Sequence, residues 1–248
     1  MIDATVVLIL ATFLLAGLVK GVIGLGLPTV SLAILTVAID LPTAMALLLV
    51  PSFVTNLWQA MVGGYAWLIL QRTWPFLLAA TLSIWFGAQA LNHLQLSLLS
   101  ALLGTLLTAY SVVSLVGFRL SISTRQASWL GPLLGLVNGT LTGMTGSFVV
   151  PGVLYLQALG FDRNALIQAL GMLFTLSTLA LAAALQGNAQ LDPELGAYSA
   201  LALLPAVIGM LLGQRIRRVI SESLFRKVFF IALLALGIYI IVTALGGL

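Results

Sequence analysis

A long apolar run near the start of the chain is interrupted by glycines and a proline, and this interruption limits how the chain can fold. The run covers residues 5–39. A continuous helix of that length would reach about 50 Å, beyond a hydrocarbon core of about 30 Å. Residues 17–28 (GLVKGVIGLGLP) lie near its middle, where glycine and proline disfavour helix. The run therefore predicts two short half-helices joined by an irregular turn, with Lys20, its only charge, in the middle of that turn.

The same pattern returns once in the second half of the chain. Residues 135–139 (GLVNG) match residues 17–21 (GLVKG) and place Asn138 at the position of Lys20. A second Gly-rich stretch, TGMTGS, follows at 142–147. Paired interrupted segments in two halves are typical of secondary transporters, whose binding site they form. We therefore predict one transmembrane domain built from two repeats, about 1–120 and about 126–248.

The composition indicates a membrane protein and excludes several other classes. The chain is 61% hydrophobic and 6% charged, more apolar than a soluble core requires. The few basic residues stand at the ends of apolar segments, so no nucleic-acid partner is indicated. With one histidine and no cysteine, neither a metal site nor a disulfide is expected. We also expect no cofactor. The N-terminus lacks the basic segment of a cleavable signal, so it is expected to be retained.

The predicted fold is an all-α polytopic membrane protein with two inverted repeats of four helical elements each. The first element of each repeat is a broken, re-entrant, Gly-rich helix. The second of these broken runs is predicted at residues 129–159. The remaining spans are predicted at residues 42–62, 75–91, 96–117, 164–185, 195–213 and 224–245.

The distribution of charge bears on topology. If each broken run returns to its starting side, every Lys and Arg except Lys20 falls on one side of the membrane. If the runs cross instead, the basic residues divide between both sides. Because basic loops stay in the cytoplasm, the re-entrant arrangement is favoured, with the Arg/Lys-rich loops cytoplasmic and the protein in the cell (inner) membrane. The basic residues are Arg72, Arg119, Arg125, Arg163, Arg215, Arg217, Arg218, Arg226 and Lys227.

The chain resembles the sulfite exporter TauE/SafE family of bacterial membrane transporters. The resemblance rests on the two Gly-rich segments, 17–28 and 135–151, and on their spacing from residues 51–59 (PSFVTNLWQ). It covers nearly the whole chain. It implies export of sulfite, sulfoacetate or another small organosulfur anion, which composition alone does not indicate.

The candidate substrate-binding residues are the polar groups and glycines of the two interrupted segments and of the span after the first. Lys20 is a cationic partner for an anion, or alternatively a lysine that caps a half-helix or extends to the interface. Hydroxyl groups suit sulfite or sulfonate oxygens, but they also bond to helix carbonyls in membranes. The full set is Lys20, Gly21, Gly24, Gly26, Thr55, Asn56, Asn138, Gly139, Thr142, Gly143, Thr145, Gly146 and Ser147.

Three functions remain open from the sequence. The first is a secondary carrier that exports small sulfur-containing anions. The second is a carrier of another small anion or carboxylate, or an importer. The third is a non-transporting integral membrane subunit or an enzyme, for which no convergent acid, base or metal set is visible. We expect no catalytic residues, and we expect a small anion and the lipid bilayer as the partners.

Overall fold

The computed structural model describes residues 4–118, 120–188 and 191–246, and the regular structure in these ranges is helical. Asp3, Arg119 and Gln190 lie outside the described residues. The helices are α1 Ala4–Ile23, α2 Leu27–Ala38, α3 Leu41–Leu47, α4 Leu49–Met61, α5 Ala66–Ala88, α6 Ala90–His93, α7 Leu96–Val116, α8 Thr124–Thr145, α9 Gly152–Ala158, α10 Arg163–Gly187, α11 Pro193–Ile216 and α12 Glu222–Gly246.

Six segments of the described chain are long and apolar enough to cross a membrane, and a seventh is possible if the bent pair α3–α4 forms one span. This confirms the all-α polytopic fold class. The six are Ala4–Ile23, Ala66–His93, Leu96–Val116, Arg163–Gly187, Pro193–Ile216 and Glu222–Gly246.

The interrupted runs do not consist of two equally short helices. In the first, α1 has 20 residues and reaches about 30 Å at ~1.5 Å per residue, whereas α2 has 12. In the second, α8 has 22 residues and α9 has 7. The prediction of two short half-helices is therefore wrong, because each break lies near the end of its Gly-rich segment, at residues 24–26 and 146–151. A full-length helix precedes each break and a shorter helix follows it.

The chain divides into two compact units, each of which takes elements from both predicted repeats. Unit 1 comprises residues 1–51, 94–117 and 190–248. In it α1 packs on α11, α7 packs on α12, and α2 contacts α1. Unit 2 comprises residues 52–93 and 118–189. In it α5 packs on both α8 and α10.

Within unit 1, small residues bring α1 and α11 into backbone contact. A Cβ placed on Gly17 would lie 2.1 Å from the carbonyl oxygen of Ala206, and one on Gly21 would lie 2.2 Å from that of Met210. The contacts pair residue 17 with 206 and residue 21 with 210. Residue numbers thus rise in the same direction along both helices, so α1 and α11 run parallel. Close backbone approach through small residues four apart is the usual way in which helices associate in a membrane.

Unit 2 contains the same arrangement between α8 and α5. A Cβ on Gly135 would lie 2.5 Å from the carbonyl oxygen of Phe76, and one on Gly139 would lie 2.0 Å from that of Ala80. Gly135 and Gly139 are the counterparts of Gly17 and Gly21 in the repeated motif. A proline inside each partner helix precedes the contact in both units, Pro75 in α5 and Pro205 in α11. The recurrence supports a repeat, whose inverted orientation stays a prediction.

The predicted span 42–62 is broken into α3 and α4, which bend by 45°. Pro51 has no N–H with which to bond the carbonyl of Leu47, four residues earlier. Ser199 of α11 replaces that donor, since its hydroxyl lies 2.8 Å from the Leu47 oxygen. The same hydroxyl accepts the Val50 N–H at 3.0 Å. A side-chain hydroxyl thus satisfies both backbone groups that the break releases, as non-helical backbone within a membrane requires.

The predicted span 75–91 begins nine residues too late, because α5 starts at Ala66 and contains Pro75. In the sequence, the aromatic residues before Pro75 favour an interfacial link, because Trp and Tyr are enriched at headgroup level. Trp67 and Trp74 are indeed 72% and 58% exposed, but they project from helix. A proline within a membrane helix is tolerated where neighbouring groups satisfy the freed carbonyl. The spans at 96–117, 164–185, 195–213 and 224–245 agree with α7, α10, α11 and α12 to within a few residues.

Candidate functional site

Lys20 lies in the last turn of α1 and is the one charged side chain that is buried among the described residues, with 4% of its surface exposed. The prediction that it stands in the middle of an irregular turn is wrong. Its carbonyl still accepts a helical hydrogen bond from the N–H of Gly24 at 2.7 Å. Gly17 and Gly21 remain helical because packing on α11 outweighs their low helix propensity. The lysine is therefore held on a regular helix, one turn before the break.

The break itself is made by Gly24 and Gly26. Their φ angles are 87° and 113°, in the left-handed region that side chains with a Cβ disfavour. A Cβ on Gly26 would also come within 3.0 Å of the Val19 side chain. Pro28 follows in the first turn of α2, where its missing N–H costs nothing. Lys20 consequently lies at the negative end of α1, where a cation is favoured.

Asn138 occupies the equivalent position in unit 2 but is surrounded by helix, because α8 continues to Thr145. It is completely buried. Its Oδ1 accepts the backbone N–H of Gly152 at 2.8 Å. Gly152 is the first residue of α9, whose N–H groups have no partner within the helix. The amide of Asn138 therefore holds the short helix against the long one.

The break of the second run lies between Gly146, whose φ is 70°, and Pro151. Thr142 and Thr145 are helical, not part of the turn in which they were expected. The Thr142 hydroxyl donates to the Ser147 carbonyl at 2.9 Å, and the Ser147 N–H donates to the Thr145 Oγ1 at 3.2 Å. Both threonines thus shape the turn. Gly139 and Gly143 form the contact with α5, a Cβ on Gly143 lying 2.2 Å from the Ile84 oxygen.

Thr55 and Asn56 lie on α4 and are buried, with 2% and 0% of their surfaces exposed. The Thr55 hydroxyl is 3.4 Å from the Ser52 carbonyl. Gln168 bridges α4 and α10 through Ala60, whose carbonyl accepts its Nε2 at 2.8 Å. Thr178 bonds to the carbonyl of Phe174 in its own helix at 2.6 Å.

The candidate residues are distributed over both units. Lys20, Gly21, Gly24 and Gly26 belong to unit 1, whereas Asn138, Ser147 and the other candidates belong to unit 2. The equivalent positions of Lys20 and Asn138 in the two repeats lead us to predict that the two side chains face each other, and this stays a prediction. Sequence reasoning missed Ser199, whose partners lie about 150 residues away. The candidate set also does not include Ser52 and Ser177, which are buried serines in the span after each broken run. For Ser177 the sequence favours an interhelical hydrogen bond instead.

The family model of the sulfite exporter TauE/SafE family matches residues 9–240, nearly the full chain. The chain belongs to this family. Members of the TauE/SafE family are membrane transporters and not enzymes, which agrees with the buried cation and the broken helices. No cluster of three or more potential metal ligands occurs among the described residues of this TauE/SafE transporter. Comparisons with curated proteins and with solved structures find no match.

Proposed function

We propose that this TauE/SafE transporter exports sulfite or a small organosulfonate, such as sulfoacetate, from the cytoplasm across the bacterial inner membrane. The observation that carries the proposal is the burial of Lys20, 4% exposed, one turn before a break in a helix of membrane-spanning length. A buried charge in such a position is costly and is usually retained for function. We propose that the ammonium of Lys20 binds the substrate anion.

The membrane potential is sufficient to drive this export. A cell is negative inside, so an anion gains roughly 2.3 kcal/mol per charge per 100 mV on leaving. The described spans carry no buried carboxylate, which is the usual proton relay of a coupled carrier. We propose a facilitator that needs no coupling ion.

Growth and binding measurements test the proposal. Cells that produce the protein should tolerate more external and metabolically formed sulfite than cells that lack it. The purified protein should gain thermal stability from sulfite or sulfonates and gain less from carboxylates. Stabilisation by carboxylates alone would favour the alternative substrate class.

The sidedness of the loops is also a proposal. Cysteines introduced at Ser123 and Ser221 should both react with a membrane-impermeant reagent from the cytoplasmic side. Both positions flank segments rich in arginine and lysine, which stay in the cytoplasm. Reaction of the two cysteines from opposite sides would contradict the re-entrant arrangement.

A further inference from the structure

Many buried hydroxyls in the described part of the chain bond to a carbonyl of their own helix, and several do not. The bonded hydroxyls lie 2.6–2.8 Å from the carbonyl four residues earlier; they are those of Ser31, Thr73, Ser83, Ser111, Thr175 and Thr178. Such bonding is the default in a membrane, because an unsatisfied polar group in hydrocarbon is costly. A buried hydroxyl that does not form this bond needs another explanation.

Four polar groups of unit 2 donate to no residue in the described part of the chain. They are the hydroxyls of Ser52, Ser147 and Ser177 and the Nδ2 of Asn138. At most 1% of each side chain is exposed. Two other buried hydroxyls of this kind, those of Thr36 and Thr108, belong to unit 1. Buried donors of native proteins nearly always have a partner, so a group of four in one unit points to a ligand.

Three of the four belong to segments that meet around the second break. The Oδ1 of Asn138 holds Gly152 at 2.8 Å, and a Cβ on Gly152 would lie 3.0 Å from Leu173. Ser177 lies one helical turn beyond Leu173 on the same face of α10. Ser147 precedes Phe148, whose ring is 5.7 Å from that of Phe174. The segments that carry Asn138 and Ser147 therefore contact α10 at Leu173 and Phe174, about one helical turn before Ser177.

Ser52 lies on α4, which contacts α10, and this contact places Ser52 toward the part of α10 that carries Ser177. A Cβ on Gly171 would lie 2.6 Å from the backbone nitrogen of Ala60, and the Nε2 of Gln168 bonds to the Ala60 carbonyl. The Gln168 Oε1 accepts the N–H of Tyr65. Residue numbers therefore rise along α10 as they fall along α4, so the two helices run antiparallel. Ser52 and Ser177 lie about 12 Å and about 9 Å further along in the same direction, at ~1.5 Å per residue.

We infer that Ser52, Asn138, Ser147 and Ser177 form an uncharged subsite that recognises the oxygen atoms of a sulfite or sulfonate group. This inference rests on the proposed function and deepens it by naming the groups that select the substrate class. Three hydroxyls and the amide NH2 group of Asn138 together supply five donors. They match the three oxygens of a pyramidal sulfite or sulfonate better than the two coplanar oxygens of a carboxylate.

The absence of charge among these four donors suits a transporter. Hydrogen bonds to an anion give specificity, but a transport site must bind weakly enough to release its substrate. Neutral donors meet both requirements. Removal of an unpaired buried hydroxyl should leave stability intact or raise it, because the desolvation cost of that group disappears. A hydroxyl with a structural role would behave in the opposite way.

The test compares Ser177→Ala with Ser111→Ala in the full-length purified protein. Ser111 is an equally buried serine whose hydroxyl bonds to the Leu107 carbonyl at 2.7 Å. Dissociation constants are measured for sulfite, methanesulfonate and acetate, with melting temperature in the absence of ligand. Ser177→Ala should weaken binding of both sulfur oxyanions roughly tenfold, weaken acetate less, and not lower the melting temperature. Ser111→Ala should leave all three affinities unchanged.

Ser52→Ala provides a second variant on a different helix and should reproduce the result of Ser177→Ala. Unchanged sulfite and methanesulfonate affinities in both variants would overturn the subsite, because the two hydroxyls would then make no contribution to anion binding. The same conclusion would follow if the unmodified protein bound none of the three anions.

Transport separates this inference from the proposed function. Sulfite flux in reconstituted vesicles that is unaffected by Ser177→Ala and Ser52→Ala would overturn the subsite and leave the proposed function intact. Conversely, sulfonate binding that both substitutions weaken, in a protein without sulfite flux, would support the subsite and contradict the sulfite export.

Discussion

The contact of α1 with α11 and the contact of α8 with α5 have the same packing but opposite chemistry. In each, two glycines four residues apart approach carbonyls four residues apart, and a proline precedes the contact on the partner helix. At the matching position the first carries Lys20 and the second carries Asn138. The scaffold can therefore hold a buried cation or a buried amide without rearrangement.

The difference between them follows from where each helix ends. α1 stops at Ile23, one turn after Lys20, so the lysine lies at the negative end of the helix. α8 continues to Thr145, and Asn138 instead bonds to the first N–H of α9 at 2.8 Å. The comparison teaches that one motif can serve two purposes: in unit 1 it positions a charge, and in unit 2 it fixes a short helix.

The largest expected effect concerns the shared packing. Gly21→Leu and Gly139→Leu should each abolish recovery of folded protein, because a Cβ would already lie 2.2 Å and 2.0 Å from a backbone oxygen. Size-exclusion chromatography after detergent extraction measures this. Gly196→Leu in α11 is the matched control, since no atom lies within 4 Å of the position that a Cβ on Gly196 would take. A monodisperse Gly139→Leu protein would show that the two contacts are not equivalent.

The next effect distinguishes the charge from the amide. Lys20→Met should lower affinity for the substrate anion by roughly ten- to a hundredfold, the range for a lost charge-assisted contact, and preserve the melting temperature. Lys20→Arg should recover part of the affinity, because a planar guanidinium replaces a compact ammonium. Unchanged affinity, with a lower melting temperature, would assign Lys20 to helix capping instead.

Asn138→Ala should lower the melting temperature of the ligand-free protein, which Lys20→Met should preserve. It leaves the buried N–H of Gly152 without its acceptor, which costs on the order of 1–3 kcal/mol. The melting temperature should fall clearly below that of Lys20→Met, measured in the same detergent. Equal melting temperatures for the two variants would mean that the Asn138 amide does not hold α9.

The last prediction concerns stability in the spans that follow the two breaks, which differ in shape. α10 is continuous, whereas α3 and α4 are bent by 45°, with Ser199 bonded to Leu47 and Val50 at the break. Ser199→Ala should reduce the free energy of unfolding by about 1–3 kcal/mol, the net value of two neutral hydrogen bonds. Ser199→Thr should restore it, because the hydroxyl is retained. A stable Ser199→Ala protein would show that water replaces the hydroxyl.

The parts of the fold that the sequence predicts are those determined by local pattern. The repeated GLVKG and GLVNG motifs predict a broken run in each half of the chain, and the structure has a break in each, at residues 24–26 and 146–151. In the sequence, Asp40 and Asp162 precede the next apolar segment of each half. In the structure both aspartates cap their helices by accepting a backbone N–H, from Thr43 at 2.7 Å and Ala165 at 2.8 Å. These features depend on residues within one helical turn, which a pattern in the sequence records directly.

The errors arise where distant contacts decide the conformation. Glycine is a poor helix former, so Gly17 and Gly21 predicted a turn, but contact with Ala206 and Met210 keeps them helical. Pro75 predicted a helix start and lies inside α5. The role of Ser199 depends on a break in another helix, which composition and spacing of its own segment do not show. Long-range packing overrides local propensity in each case.

The most direct measurement is sulfite efflux from vesicles that contain the purified protein, with and without an inside-negative potential. The unmodified protein should release sulfite faster when the interior is negative, because the anion then moves downhill by roughly 2.3 kcal/mol per charge per 100 mV. Lys20→Met should reduce this release toward the level of protein-free vesicles. Efflux from the unmodified protein at that same background level, or equal rates for the two proteins, would contradict the account.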